Sequence, residues 1–246
     1  VCAAPVLLRE PMEPVGYSDK IPGGFAQYML LSESLIVPVP SGCNADLAAL
    51  TEPMAVGLHA VNKAQLSAKE TILIIGAGPV GLAIITALKQ INTGPIIVSD
   101  FSPGRRKLAE AIGADIVIDP SDTDPYQEPA LRKREGVVIF ECVGIPGMID
   151  QIFLGAPKNA KIMIVGVCLQ QDYIRPLIAI NKELSLHFML GWSMEEFTQS
   201  LRYIAEGKFN VAPLITGRTS LDGVASTFES LATPNDQAKV LVKPWD

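Results

Sequence analysis

Cysteine and histidine are scarce in this chain of 246 residues, which holds four cysteines, at positions 2, 43, 142 and 168, and two histidines. No two cysteines form a CxxC pair, so the spacing speaks against both a structural zinc lobe and the disulfide framework of a small secreted protein. They read as reduced cysteines of an intracellular, cytoplasmic protein. With two histidines and no GxSxG elbow, little is left from which to assemble a hydrolytic triad. Charge is sparse as well: 19% of residues are charged, and 20 basic against 26 acidic side chains give a net charge of −6. That balance disfavours nucleic acid and anionic membranes as partners, because both are bound through basic clusters. No signal peptide opens the chain, and Val1 reads as an interior residue of a longer protein.

What the chain does contain is apolar surface. Hydrophobic residues make up 48%, enough for a buried core, and 20 glycines with 19 prolines punctuate it with turns. Thr71 to Leu88 is an 18-residue stretch without a charge, long enough to suggest a membrane span. Gly76, Gly78, Pro79 and Gly81 interrupt it, so a buried strand running into a buried helix is the better reading. Val- and Ile-rich strands are predicted at Thr71–Ile75, Ile96–Ser99, Ile116–Ile118, Val137–Glu141, Lys161–Val165 and Leu184–Met189, all buried on both faces. Helices are predicted between them at Val80–Gln90, Arg105–Ile112 and Gly147–Leu154. The alternation predicts an α/β fold with a doubly wound parallel sheet and right-handed crossovers.

The flanks have another rhythm. Gly23 to Leu31 is a turn followed by a β-prone run, prolines 38 and 40 end the next strand, and Pro53 takes the first position of a helix reaching Lys63. Met194, Phe197, Leu201 and Ile204 share one helical face, with Ser193 and Glu196 as a capping box and Gly207 as the stop. Leu221, Val224, Phe228 and Leu231 repeat that spacing before a last strand, Ala238 to Val242.

The motif with chemistry in it is Gly76-Ala77-Gly78-Pro79-Val80-Gly81, set between a strand and a helix. Gly76 permits the tight turn, Gly78 lets the backbone approach a pyrophosphate, and Gly81 lets helix and strand pack closely. The helix start offers unpaired N–H groups and partial positive charge to the phosphates. Asp100 ends the next strand 19 residues after Gly81, where a carboxylate accepts from the ribose hydroxyls of NAD and repels a 2′-phosphate. NAD is therefore favoured, although Arg105 or Arg106 could neutralise such a phosphate or cover the adenine, or simply be solvated charges. A methyltransferase glycine loop can look alike and is the outside alternative.

Taken with other segments, these residues resemble the zinc-dependent alcohol dehydrogenases of the medium-chain dehydrogenase/reductase superfamily, especially the polyol and threonine dehydrogenase branch. The segments are Gly23–Tyr28, Leu50–Gly57, Gly76–Gly81, Asp100, Phe140–Gly144, Val165–Val167 and Lys239–Val242, in family order. The resemblance implies a Rossmann cofactor domain at 55–190. It also implies the remainder of a β-rich GroES-like catalytic domain at 1–54 and 191–246. The family's earlier GroES-like portion, with its Cys and Gly-His-Glu zinc ligands, has no counterpart in this sequence. Glu52 matches the family's third zinc ligand or a nearby carboxylate, and is read as both the metal and the catalytic candidate. A carboxylate stabilised by a helix N-terminus is the plainer alternative.

By the same resemblance, Cys142, Val143 and Gly144 lie along the nicotinamide side, with Val167 and the backbone around Leu190. For Cys142 a small buried hydrophobe is preferred to thiol chemistry. His59 lies seven residues, about 10.5 Å of helix, beyond Glu52, too far to share a zinc, and reads as a packing residue. His187 reads as a core histidine, and Trp192 borders the substrate cleft or packs in the core. The segment after the fifth strand, Gln170 to Ala179, is where family members pair, implying a homodimer or homotetramer. The expectation is an oxidoreductase moving a hydride between a secondary alcohol or polyol and NAD, assisted by zinc in the complete protein. A zinc-free enone or quinone reductase and a non-catalytic NAD(H)-binding module are the alternatives.

Overall fold

The structure is a computed structural model that describes Gly16 and residues 23–246, apart from 92, 134 and 234; Cys2 lies outside the described residues. After the short helix α1 (Ala45–Ala48) and α2 (Thr51–Ala64), strands and helices alternate, except that two short 3-10 turns stand between the third and fourth strands. The order is β1 (Glu70–Ile75), α3 (Pro79–Leu88), β2 (Ile96–Ser99), α4 (Pro103–Ile112) and β3 (Ile116–Ile118). There follow β4 (Gly136–Glu141), α5 (Met148–Gly155), β5 (Lys161–Ile164), α6 (Pro176–Lys182) and β6 (Ser185–Phe188). The six strands form one parallel sheet in the order β3-β2-β1-β4-β5-β6. The uncharged stretch 71–88 is thus a strand, a glycine turn and a helix. Among the described residues no helix is long and apolar enough to cross a membrane.

Burial on both faces explains the continuous apolar strands β1, β2, β4 and β5. Ile72 and Ile74 face one core layer with α2 and α3, while Leu73 and Ile75 face the other with α5. All but the first two residues of α3 are buried. Helix α2 crosses α3 so closely that a Cβ on Gly57 would stand 2.6 Å from the Ala83 carbonyl carbon.

Beyond the sheet come α7 (Met194–Ala205), β7 (Ile215–Ser220), α8 (Val224–Leu231) and β8 (Lys239–Lys243), with β7 and β8 paired in parallel. Ser193 caps α7 in the expected box, and Gly207, at φ 69°, stops it. Asp46 of α1 ties this unit in by accepting from Arg218 at 2.9 and 3.0 Å and from Lys243.

Four expectations need correction. Residues 23–31 hold bends rather than a strand, and only an isolated bridge at Ile36 precedes the prolines, because no neighbouring strand pairs with this segment among the described residues. Pro53 is the third rather than the first residue of α2, still within the turn whose N–H groups lack intrahelical partners. β6 is an exposed edge, so His187 is a surface residue rather than a core one. The face of α8 that carries Val224, Phe228 and Leu231 is not buried.

Candidate functional site

The order of the strands reverses between β1 and β4, which opens a crevice beyond their carboxyl ends. Three connections converge there. Gly76 leaves β1 at φ 97°, in the left-handed region open to glycine, and a Cβ on it would lie 2.9 Å from Val143 Cγ2. Gly78 is the N-cap of α3 in extended conformation, with nothing within 4 Å of where its Cβ would stand. Gly81 is the reverse case, since its Cβ would stand 2.0 Å from the Gly76 carbonyl oxygen. One glycine is therefore demanded by the turn, one by packing, and one leaves open space in front of a helix start. Pro79 and Val80 open that helix, whose first bond runs from Leu82 N–H to the Gly78 carbonyl. The N–H groups of Val80 and Gly81 accordingly have no partner within the helix.

Asp100, at the end of β2, reaches this turn. Its Oδ2 accepts from Ala77 N–H at 2.7 Å and its Oδ1 from Ser102 N–H at 2.7 Å. The two arginines at the start of α4 separate. Arg106 is committed to the Asp100 and Phe101 carbonyls and to Asp119, each at 2.8 Å. Arg105 keeps a buried Nε without a hydrogen-bond partner.

The sequence reading assigned no role to Glu141, the buried carboxylate ending β4. Its Oε1 accepts from Val143 N–H at 2.7 Å and Gly144 N–H at 2.8 Å, which curls the loop Cys142–Gly144 over the crevice. Gly144 sits at φ 70° against the Val167 backbone, where a Cβ would come within 2.6 Å. A carboxylate two residues before Val143 in an otherwise apolar strand was the available signal. Cys142 is half-buried against the core; desolvation pushes its thiol well above the usual range and the Glu141 charge adds to this, which keeps it protonated. Val167, 73% exposed, and Leu190, 63% exposed, stand after β5 and β6 on the same side of the sheet.

Glu52, exposed in the first turn of α2, accepts from Trp192 Nε1 at 3.3 Å. Among the described residues it is the one charged side chain lining an open, otherwise apolar cavity of about 680 Å³ between residues 24–52 and β8. Trp192 packs on Phe197 with ring centroids 4.7 Å apart. His59 is engaged elsewhere: its Nδ1 lies 2.8 Å from Glu196 Oε2, while Asn62 donates to Glu196 Oε1 at 3.0 Å. These bonds join α2 to α7. Burial alone would push the Glu196 carboxyl up, but hydrogen bonds from Ser193 N–H, Asn62 and His59 outweigh it and hold it below the usual value. Among the described residues no three His, Cys, Asp or Glu side chains converge to hold a metal ion.

A parallel sheet in this order, with a glycine turn opening the first crossover helix and an acidic residue ending the second strand, defines a protein of the dinucleotide-binding α/β class. The chain belongs to the zinc-binding dehydrogenase family, whose model matches residues 79–206. It is 33% identical over 225 residues to (R,R)-butanediol dehydrogenase of Bacillus subtilis, covering 90% of this chain and 64% of that protein. It is 30% identical over 229 residues to sorbitol dehydrogenase of the same organism, covering 91% and 64%. The crystal structure of 2R,3R-butanediol dehydrogenase from Bacillus subtilis superposes with a TM-score of 0.84, covering 96% of this chain and 68% of that one. A zinc-binding dehydrogenase from Sinorhizobium meliloti bound to NADP gives a TM-score of 0.84 at 26% identity, covering 96% and 70%. The chain spans 64% of the length of the two curated relatives.

Proposed function

We propose that the protein is an NAD-dependent dehydrogenase that oxidises a secondary alcohol or polyol to a ketone. The observation that carries the cofactor reading is the hydrogen bond from Ala77 N–H, within the glycine turn, to Asp100 at 2.7 Å. It joins the phosphate cradle and the ribose carboxylate, two features set apart in sequence. The dehydrogenase and sorbitol dehydrogenase relatives supply the substrate class.

In this reading residues 55–190 form the cofactor domain, and 1–54 with 191–246 belong to the catalytic domain. Gly76, Gly78, Pro79, Val80 and Gly81 receive the diphosphate at the start of α3. Asp100, held in place by two backbone N–H groups, retains lone pairs for the ribose hydroxyls. Arg105 lies along the adenosine end. Cys142, Val143 and Gly144 wall the nicotinamide with Val167 and Leu190 and keep water from it. The bound cofactor supplies the hydride-accepting ring, while the protein supplies position and electrostatics. The family name implies zinc, but Glu52 has no converging ligand partners among the described residues. The described residues by themselves do not fit the metal. Glu52 stands instead as the carboxylate of the substrate side. Exposed apolar residues on β6 and on α6 before it, Phe188 at 69% and Leu177 at 66%, support a homodimer or homotetramer paired there. Unbridged Cys43, Cys142 and Cys168 support a cytoplasmic location.

The alternative is a module that binds NAD(H) without turnover. NADH fluorescence titration of the chain, followed by assays on secondary alcohols and polyols with NAD and on enones with NADPH, separates the readings. Binding with alcohol oxidation supports the dehydrogenase, and binding with no turnover supports the module. Enone reduction with NADPH overturns both, and the absence of NADH binding overturns the cofactor site itself.

A further inference from the structure

Asp236 lies on the loop between α8 and β8, yet it touches the start of α4. Its Oδ1 accepts from the Ser102 hydroxyl at 2.7 Å and from Gly104 N–H at 3.2 Å. The approach is close, since a Cβ on Gly104 would stand 2.3 Å from Asp236 Cγ. Helix α4 has ten residues, and Ser102 caps it by accepting from Arg105 N–H at 3.1 Å. A helix start of this kind attracts an anion through its unpaired N–H groups and its dipole. Here a carboxylate of the protein already fills that place.

The start of α4 lies two residues beyond Asp100, the ribose carboxylate in the reading proposed above, on which this inference rests. A cofactor carrying a 2′-phosphate would bring a dianion to this corner and would need donors there. The Ser102 hydroxyl and Gly104 N–H are bound to Asp236, and Arg106 is bound to Asp119 and two carbonyls. Arg105 keeps a buried Nε that makes no hydrogen bond. We propose that Asp236 is a specificity-determining residue: it occupies the anion-attracting start of α4 with its own carboxylate and so selects NAD over NADP. Two carboxylates from distant parts of the chain, Asp100 and Asp236, then oppose the phosphate together.

The test is the pair of dissociation constants for NADH and NADPH, by fluorescence titration of the full chain. Asp236→Asn keeps an acceptor oxygen for Ser102 and Gly104 but removes the charge. At an exposed, screened site this should tighten NADPH by about tenfold and leave NADH within about twofold. Asp236→Ala also frees both donors and should tighten NADPH at least as much. The gain in Asp236→Asn should shrink as salt is raised. A residue that merely tethers the loop would leave the NADH/NADPH ratio unchanged in both variants, and that result overturns the proposal. If the unaltered chain binds NADH and the ratio does not move, this inference alone falls. If the unaltered chain binds neither nucleotide, the cofactor reading falls with it.

Discussion

Replacing Gly78 with alanine separates a binding role from a packing role. An alanine Cβ at this position meets nothing within 4 Å, and the backbone, at φ −69° and ψ −177°, is open to any L-residue. At an N-cap, glycine is preferred to alanine by about 0.5–1 kcal/mol. The lower entropy of the unfolded chain returns about 0.4–1 kcal/mol. Stability should therefore stay within about 0.5 kcal/mol, or roughly 2 °C in Tm. Binding should behave otherwise. The methyl stands between the backbone and a diphosphate at the start of α3 and removes one or two charge-assisted hydrogen bonds, worth about 1.5–3 kcal/mol each. A loss of about 2–4 kcal/mol corresponds to roughly 30- to 1,000-fold in Kd for NADH. Gly81→Ala could not give this answer, because its Cβ would stand 2.0 Å from a backbone oxygen and disturb the fold itself. Circular dichroism melts and NADH titration of Gly78→Ala suffice. Unchanged affinity at unchanged Tm would show that no phosphate approaches Gly78 and would refute the cradle.

Gly57→Ala drives a methyl into the Ala83 backbone at 2.6 Å, and an overpacking cost of about 1–3 kcal/mol outweighs the helix-propensity gain of at most about 1 kcal/mol. With a cost in the upper part of that range the net loss is about 1–2 kcal/mol and the Tm should fall by roughly 2–8 °C; a rise would show that α2 and α3 separate freely. The lowered pKa of Glu196 stabilises the folded chain above the ordinary carboxyl value of 4.5, and that stabilisation disappears as pH falls through the folded value. Urea unfolding as a function of pH should lose this part of its acid slope in Glu196→Gln, whereas an unaltered slope would remove Glu196 from the junction of α2 and α7. Half-buried Cys142, with its thiol pushed up by desolvation, should be alkylated at neutral pH more slowly in the folded chain than in urea, as followed by peptide mass spectrometry. Rapid labelling in the folded chain would contradict its placement.

The sheet was legible because its information is local. Each buried strand is an apolar run bounded by turns, and the glycine turn after Ile75 splits an uncharged stretch that hydropathy alone would take for a membrane span. The cofactor candidates were legible for the same reason, since Gly76, Gly78, Gly81 and Asp100 keep a spacing set by one strand, one turn and one helix. Where local propensity had no partner to realise it, the reading failed. Residues 23–31 are β-prone but pair with nothing among the described residues, and His187 lies in a strand whose far side is an exposed edge.

Contacts between distant parts of the chain were decided by tertiary structure alone. The sequence by itself determined an α/β sheet with a glycine turn and a ribose carboxylate, because short-range sterics and hydrophobic periodicity are written residue by residue. Only the folded chain decided that Glu141 curls the β4 loop, that His59 binds Glu196 rather than lying free on its helix, and that Asp236 fills the start of α4. Those three carboxylates gain their partners through the placement of backbone segments, which no pattern along the chain encodes.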